Sequence, residues 1–230
     1  MRRLRIAADQ RPLYVFALCD ANLRVPERVG RHRLECLDLG GLFAIVERRR
    51  AVPVLSERSL RDQHRVVVAL HQHAQALIPV RFGALVARVE LDRIVRQRRR
   101  LLVRALKRVR GMAQMTIRSF EPLRRPSVPS RATTGTAYLA RRARDARPDV
   151  PRAVDAVRQA VRSLVVDESI EAGRGAVRVV VNHLIRVGDG DRYLARAESV
   201  LSGTAASESV RLTGPWPPFA FTPEIMDAAS

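Results

Sequence analysis

The sequence predicts an α+β protein in two domains, an N-terminal mixed α+β domain over residues 1–110 and a C-terminal ferredoxin-like domain over residues 111–230. Three observations lead there. Short apolar runs with period two, bounded by Gly, Pro and Asp, mark strands, while longer stretches with apolar residues three and four apart mark helices. Gly111 follows a long helical stretch and divides the chain into halves of about 110 residues, each large enough to bury roughly two-thirds of its unfolded surface. In the second half, residues 112–213 read strand, helix, strand, strand, helix, strand. That is the split βαβ order of a four-stranded antiparallel sheet covered by two helices on one face.

Residues 12–19 open the first half as a strand, with Tyr14, Phe16 and Leu18 expected on one face. A second strand is expected at 32–37, with Leu34 and Cys36 on one side and Arg33, Glu35 and Leu37 on the other. Asp38 and Gly40-Gly41 supply turn residues, so 42–46 returns as the partner of a hairpin. Ser56 or Ser59 begins a helix whose apolar face is Leu60, Val67, Leu70, Ala74 and Leu77, with Pro79 ending it. Val80-Arg81-Phe82 reads as a short strand, which places Arg81 opposite Val80 and Phe82.

Gly83 then releases the chain into a long helix. Val86, Val89, Ile94, Leu101, Ala105 and Val109 form its expected apolar stripe, and Arg93, Arg96, Arg100, Arg104, Lys107 and Arg108 lie opposite. Like charges at i,i+4 destabilise an isolated helix by roughly 0.2–0.5 kcal/mol per pair, so this helix must be held by packing or by anions.

In the second half, 112–120 reads as a strand with Met115, Ile117 and Ser119 alternating against Thr116, Arg118 and Phe120. Residues 121–132 hold Pro122, Pro126 and Pro129 among arginines and read as an inserted loop. A helix follows from Thr133 or Thr134 to about Arg147, stopped by Pro148. A second helical piece near Asp149 or Asp155 carries Val150, Val154, Val157, Val161 and Leu164 on one side. Strands at 164–172 and 176–187 flank a glycine turn, Gly188-Asp189-Gly190-Asp191 makes a turn and helix cap, 193–201 is helix, and 207–213 is the last strand.

The bulk numbers bound the function. Hydrophobic residues make up 47% of the chain, which argues against wholesale disorder. No run approaches the roughly 18 to 20 apolar residues that span a bilayer, and the basic start Met1-Arg2-Arg3-Leu4-Arg5-Ile6 has no apolar core of a secretory signal. Cys19 and Cys36 sit in strand-like runs and read as reduced thiols of a cytoplasmic protein. The net charge is +19 and nearly all arginine, since Lys107 is the only lysine. Such a charge attracts acidic partners, more strongly at low salt.

No phosphate-binding GxxxxGK[ST] or GxGxxG is present, and no GxSxG nucleophile elbow. His64 and His71 share a helix face, but no CxxC or HExxH supplies the three or four ligands a zinc site needs. His183, in mid-strand, fits either core or surface. Asp167, Glu168 and Glu171 cluster near a strand end, where paired carboxylates could do acid–base work or ion-pair with the abundant arginine. The expectation is a chain with no catalytic residues, no metal and no cofactor.

The final stretch, Leu212-Thr213-Gly214-Pro215-Trp216-Pro217-Pro218-Phe219-Ala220-Phe221, concentrates the only Trp and two of the six Phe in a chain that is 4% aromatic. Proline fixes φ and removes a donor, so the strand should stop at Thr213 and Pro215–Pro218 should form a stiff polyproline-like strap. Trp216 then either plugs the open edge of a core or anchors an interface. Arg81 is either paired locally or a fixed guanidinium at a partner surface.

This GPWPPFAF stretch resembles the C-terminal signature of the gas vesicle GvpF/GvpL family. Two other places resemble it in the same order: the helix with Leu60, His64, Val67 and Leu70 running into Pro79-Val80-Arg81-Phe82-Gly83, and the helix start Thr134-Gly135-Thr136-Ala137-Tyr138-Leu139. The resemblance implies two α+β domains, the second ferredoxin-like, and a cytoplasmic, gas-vesicle-associated structural or assembly role without catalysis. Gas vesicle walls are built from small, very hydrophobic shell proteins that need partners to nucleate, hold or cap them. The implied partners are that shell protein and other accessory proteins, with no small-molecule substrate and no membrane, and the candidate binding residues are Arg81, Phe82, Trp216, Phe219 and Phe221.

The second reading is a basic nucleic-acid-binding module, invited by the arginine-rich helix at 88–110 and by the ferredoxin-like order that RNA-recognition domains share. Against it, the strand at 176–187 has no Phe or Tyr to stack bases, and the arginines spread along the whole chain.

Overall fold

The computed structural model describes residues 11–21, 27–120, 150–202 and 209–225. The expected loop at 121–132 and the helix from 133 to 147 lie outside the described residues. The chain forms two compact units, one of Met1–Met112 with Trp216–Ser230 and one of Ala113–Pro215. The tail after Trp216, which the sequence groups with the second half, thus clusters with the first.

In the first unit the strands are β1 (Leu13–Cys19), β2 (Arg28–Val29), β3 (His32–Arg33), β4 (Glu35–Asp38), β5 (Phe43–Arg48), β6 (Leu77–Pro79) and β7 (Leu85–Val86). The helices are α1 (Glu57–His73) and α2 (Arg88–Val109). The main sheet runs β4-β5-β1-β6, with β7 also pairing β1, and β2-β3 is a separate two-stranded ribbon. One face packs against Val66, Val67 and Leu70 of α1. The other packs against Leu91, Val95, Leu102 and Leu106 of α2. Covered on both sides, every residue of β1 is buried, which is why it reads as a continuous apolar run.

Local chemistry sets several element ends. Asp38 Oδ1 accepts from the backbone N–H of Gly40 (2.8 Å) and Gly41 (2.9 Å), and both glycines have positive φ, closing the β4–β5 hairpin. Ser56 caps α1 through a reciprocal box with Ser59. Gly111, at φ 66°, follows α2 and turns the chain.

Four expectations for this half are corrected. Leu18 does not share a face with Tyr14 and Phe16: a β-bulge at Phe16 shifts the register on β5, so Leu13, Val15 and Leu18 face one core and Tyr14, Phe16, Ala17 and Cys19 the other. Helix α1 ends at His73, not before Pro79, because Leu77 and Ile78 pair with β1 as strand, and Leu60 is 45% exposed. The short strand lies at Leu77–Pro79, and Phe82-Gly83 is a turn instead. The buried stripe of α2 is Leu91, Val95, Leu102, Ala105, Leu106 and Val109, while Val89 (77% exposed) and Leu101 (48%) face out. Two apolar phases overlap on that helix, and the one holding more leucine is buried.

The second unit is built on β8 (Met112–Phe120), α3 (Arg152–Val161), β9 (Val165–Ala172), β10 (Val177–Arg186), α4 (Gly190–Leu201) and β11 (Val210–Trp216), with sheet order β11-β8-β10-β9, the end residues Met112 and Trp216 counting with the first unit. Met115, Ile117, Val179, Val181 and Ile185 of the sheet pack against Val154, Val157 and Val161 of α3 and Tyr193, Ala197 and Leu201 of α4. The opposite face of β8 carries Gln114 and Thr116. Gln114 Nε2 donates to Asn182 Oδ1 (2.9 Å) and Thr116 Oγ1 donates to the same oxygen (2.9 Å). Asp189 precedes α4 but makes no side-chain cap; its carboxylate accepts from Arg192 instead.

The polyproline strap is also corrected. β11 continues through Pro215 to Trp216. An edge strand tolerates proline because one side of its backbone has no ladder to complete, and β11 ends the sheet. After Pro217 and Pro218 the chain turns into a single 3-10 turn, Phe219–Phe221.

Candidate partner-binding site

Around the tail, three arginines and two aromatic contacts fasten residues 216–225 onto the first unit. Trp216 is half-buried and meets the His64 ring edge-on, with centroids 4.9 Å apart. Phe219 is half-buried against the core cluster of Tyr14, Phe16, Val67 and Leu70. Phe221 is 4% exposed and lies under the Arg108 guanidinium at 5.7 Å. Ile225 closes the other core, among Leu91, Val95 and Leu102. Arg98 Nη1 donates to the carbonyls of Glu224 (2.8 Å) and Ile225 (3.2 Å). Arg81 Nη1 pairs with Glu224 Oε1 at 3.0 Å and stays exposed.

The turn bearing Arg81 and Phe82 is positioned from inside the core. Tyr14 donates its hydroxyl proton to Gln63 Oε1 and accepts from Gly83 N (3.2 Å), while Gln63 Nε2 donates to the Val80 carbonyl (2.8 Å). Burial raises the Tyr14 pKa, so the phenol stays neutral and keeps that proton to donate. Phe82 packs edge-on against Tyr14 at 6.3 Å. Trp216, Phe219 and Phe221 thus lie along the tail, each with its own partner in the first unit, Arg81 meets the tail through Glu224, and Phe82 sits in the adjoining turn against Tyr14. The sequence does not mark His64, Arg98, Arg108 and Glu224 as partners of the tail or of Arg81. They meet only through long-range folding, and nothing in their spacing marks them.

The other constellation with chemical potential lies in the second unit. An open cavity of about 480 Å³ is lined by Arg158, Arg162, Val166, Asp167, Glu168 and His183. His183 is buried. Its Nε2 faces Glu168 Oε2 (2.8 Å) and its Nδ1 faces Tyr193 Oη (2.7 Å). An ionised carboxylate only accepts, so Nε2–H donates to Glu168 and the tyrosine hydroxyl donates to Nδ1. Arg158 grips Glu168 through Nε (2.7 Å) and Nη2 (2.6 Å). That grip, helped by His183 and opposed by partial burial, holds Glu168 at a pKa of about 2. Burial lowers the His183 pKa and raises that of Tyr193. Glu168 is thus held ionised by the arginine clamp, while burial favours the neutral form of the His183 imidazole.

Burial also pushes the Cys19 thiol up to about 12 and keeps it protonated. Among the described residues, no three of His, Cys, Asp and Glu come together as metal ligands do, and no helix is long and apolar enough to cross a membrane.

The model of the gas vesicle synthesis protein GvpL/GvpF family matches residues 12–223. The chain belongs to this family. The gas vesicle protein GvpF from Anabaena sp. PCC7120 has a crystal structure similar to it, with TM-score 0.69 at 14% identity, covering 91% of this chain and 95% of that one. GvpF from Microcystis aeruginosa gives TM-score 0.68 at 11% identity, covering 91% and 98%. No curated protein matches the chain. At such identities the likeness to GvpF establishes a shared fold, and the family match, running from Pro12 just before β1 to Pro223 in the tail, takes in both units of this GvpL/GvpF chain.

Proposed function

We propose that the chain is an accessory protein of gas vesicle formation that acts by binding another polypeptide, the small hydrophobic shell protein or a fellow assembly factor, and transforms no substrate. The family match over residues 12–223 carries this reading. The tail gives it a surface. Arg81 is exposed, and Phe82, Trp216 and Phe219 are half-buried on one unit, which leaves ring edges and a guanidinium available while Phe221 serves as their buried anchor. The internally satisfied Arg158–Glu168–His183–Tyr193 relay supports a non-enzymatic role. We further read the two units as two domains, near 1–110 and 111–230 with the tail docked on the first. The β-α-β-β-α-β succession and the sheet order β11-β8-β10-β9 support a ferredoxin-like second domain. Such a protein works in the cytoplasm, at the growing vesicle, without a cofactor.

The test is a pull-down with the full chain from a vesicle-producing lysate, paired with deletion of its gene in the same host. The reading expects the shell protein or another vesicle protein to be retained, Trp216→Ala to release it, and the deletion strain to lose or thin its vesicles. Normal vesicles in the deletion strain, or equal retention by the tail variant, would overturn the role or the surface respectively.

A further inference from the structure

We infer that the exposed stripe of α2 formed by Arg96, Arg100, Arg104 and Lys107, bordered by Val103, is a second docking surface, and that its partner is a helical polypeptide segment presenting carboxylates beside an aliphatic side chain. This surface is independent of the tail and of the partner assigned to it.

The charge on α2 is unevenly distributed. Its only carboxylates, Glu90 and Asp92, sit near its start and are taken by Arg93 and Arg88. Beyond them, among the described residues, Arg96, Arg100, Arg104 and Lys107 have no carboxylate within ion-pair distance, and all four are exposed. With 42 basic against 23 acidic residues, the chain has no surplus of carboxylates to give them. Spacings of four, four and three residues set the four cations in one row about 16 Å long, at 1.5 Å rise per residue. Like charges so spaced repel each other along the helix and are relieved by an external anion.

The row is not purely ionic. Val103 borders the row by helical angle, between Arg99 and Arg96, half-buried against the core, and floors a concavity of about 480 Å³ walled by Arg99, Arg100, Arg104 and Lys107. Arg99 leans away to donate to the Gly40 carbonyl (2.7 Å), which keeps its charge while fixing one wall. An apolar floor ringed by guanidinium forks matches an acidic amphipathic helix. Carboxylates at i and i+4 meet the forks in bidentate pairs, and an aliphatic side chain beside them covers Val103. A nucleic-acid backbone supplies anions but nothing to desolvate Val103. A lipid surface would need an apolar helix face to insert, and that face of α2 is spent on the core.

The test uses the full chain and four probes at about 150 mM salt, where the Debye length is about 8 Å. The probes are a labelled helical peptide with Glu at i,i+4 and Leu between, its scrambled isomer of equal charge, a short DNA duplex, and phosphatidylglycerol vesicles. Binding is read by fluorescence anisotropy, or by co-sedimentation for the vesicles. The proposal expects the amphipathic peptide to bind at least tenfold tighter than the other three. It expects Arg100→Glu with Arg104→Glu to weaken that binding at least tenfold, and the charge-matched Arg174→Glu with Arg186→Glu, on exposed sites of the second unit, to leave it within twofold. Equal loss from both double variants reduces the effect to net charge and overturns it. So does tighter binding of DNA or vesicles, or no preference over the scrambled peptide. Circular dichroism checks the fold, and Arg100→Gln with Arg104→Gln gives the same reading should charge reversal disturb α2.

Discussion

Trp216 stands edge-on to His64, their ring centroids 4.9 Å apart, and this contact joins the start of the tail to α1. Burial lowers the His64 pKa. Trp216→Ala should therefore do two things at once. It should destabilise the protein by about 1–2 kcal/mol, less than a fully buried aromatic because the ring is only half covered. It should also raise the His64 pKa toward its ordinary value as water reaches the imidazole, read by NMR titration of the ring protons. An unchanged titration would mean that other groups bury His64.

Further along, the seat of the tail depends on Phe221, which is buried, and on Ile225, which joins the core of Leu91, Val95 and Leu102. Phe221→Ala should cost about 3–4 kcal/mol, seen as a lower urea midpoint. Arg108→Ala, which takes the guanidinium off the Phe221 ring, should cost about 0.5–1 kcal/mol for the loss of that contact. Similar losses from both variants would show that the arginine's packing, not its charge, holds the ring.

Much of this fold is legible in the sequence wherever the signal is local. The Asp38-Gly40-Gly41 turn, the Ser56 cap, the β9–β10 hairpin and the valine stripe of α3 each depend on residues a few positions apart. What the sequence hides depends on partners far along the chain. Leu18 changes face because of one extra residue opposite β5. Leu77 continues the helical spacing of α1 and yet pairs with β1. On α2, Leu101 and Leu102 are equally apolar neighbours, and only the sheet decides that Leu102 goes in. The candidate site follows the same rule. Trp216, Phe219 and Phe221 stand out by composition, whereas His64, Arg98 and Arg108, which hold that segment, look like any other histidine or surface arginine.

Gly214 tests how closely β11 approaches β8. Its φ is +131°, and a Cβ there would come within 2.7 Å of the Gln114 carbonyl oxygen and 2.8 Å of Met115 Sδ. Backbone cannot step aside as a flexible side chain can. Gly214→Ala should destabilise the second unit by about 2–4 kcal/mol through combined strain and overpacking, visible as a lower urea midpoint. A loss under 0.5 kcal/mol would mean that the edge strand can drift.

The Gln114–Thr116–Asn182 cluster is buried and polar, so its parts should matter more than its whole. Asn182→Ala removes the oxygen that both neighbours donate to and should cost about 1–3 kcal/mol. Replacing all three by Leu, Val and Leu should cost less than that single change, because no buried donor is then left without its acceptor. A triple variant weaker than Asn182→Ala would show that the cluster is net stabilising as a unit.

The histidines set the response to acid. His64, His71 and His183 all have pKa values lowered in the folded state, chiefly by burial. Below their ordinary value of about 6.5 the unfolded chain binds more protons than the folded one, so stability present above that pH is lost as pH falls. The urea midpoint should therefore drop between about pH 7 and 5, and His183→Gln should flatten part of the drop. Glu168 acts in the same direction at lower pH. With a folded pKa of about 2 against an ordinary value near 4.3, its contribution is complete above the latter and disappears on the way down to the former. Glu168→Gln should remove that second step while leaving the first in place. A midpoint that rises on acidification from pH 7 to 5 would contradict the neutral, buried state assigned to these imidazoles, and with it the donor–acceptor order of the Tyr193–His183–Glu168 relay.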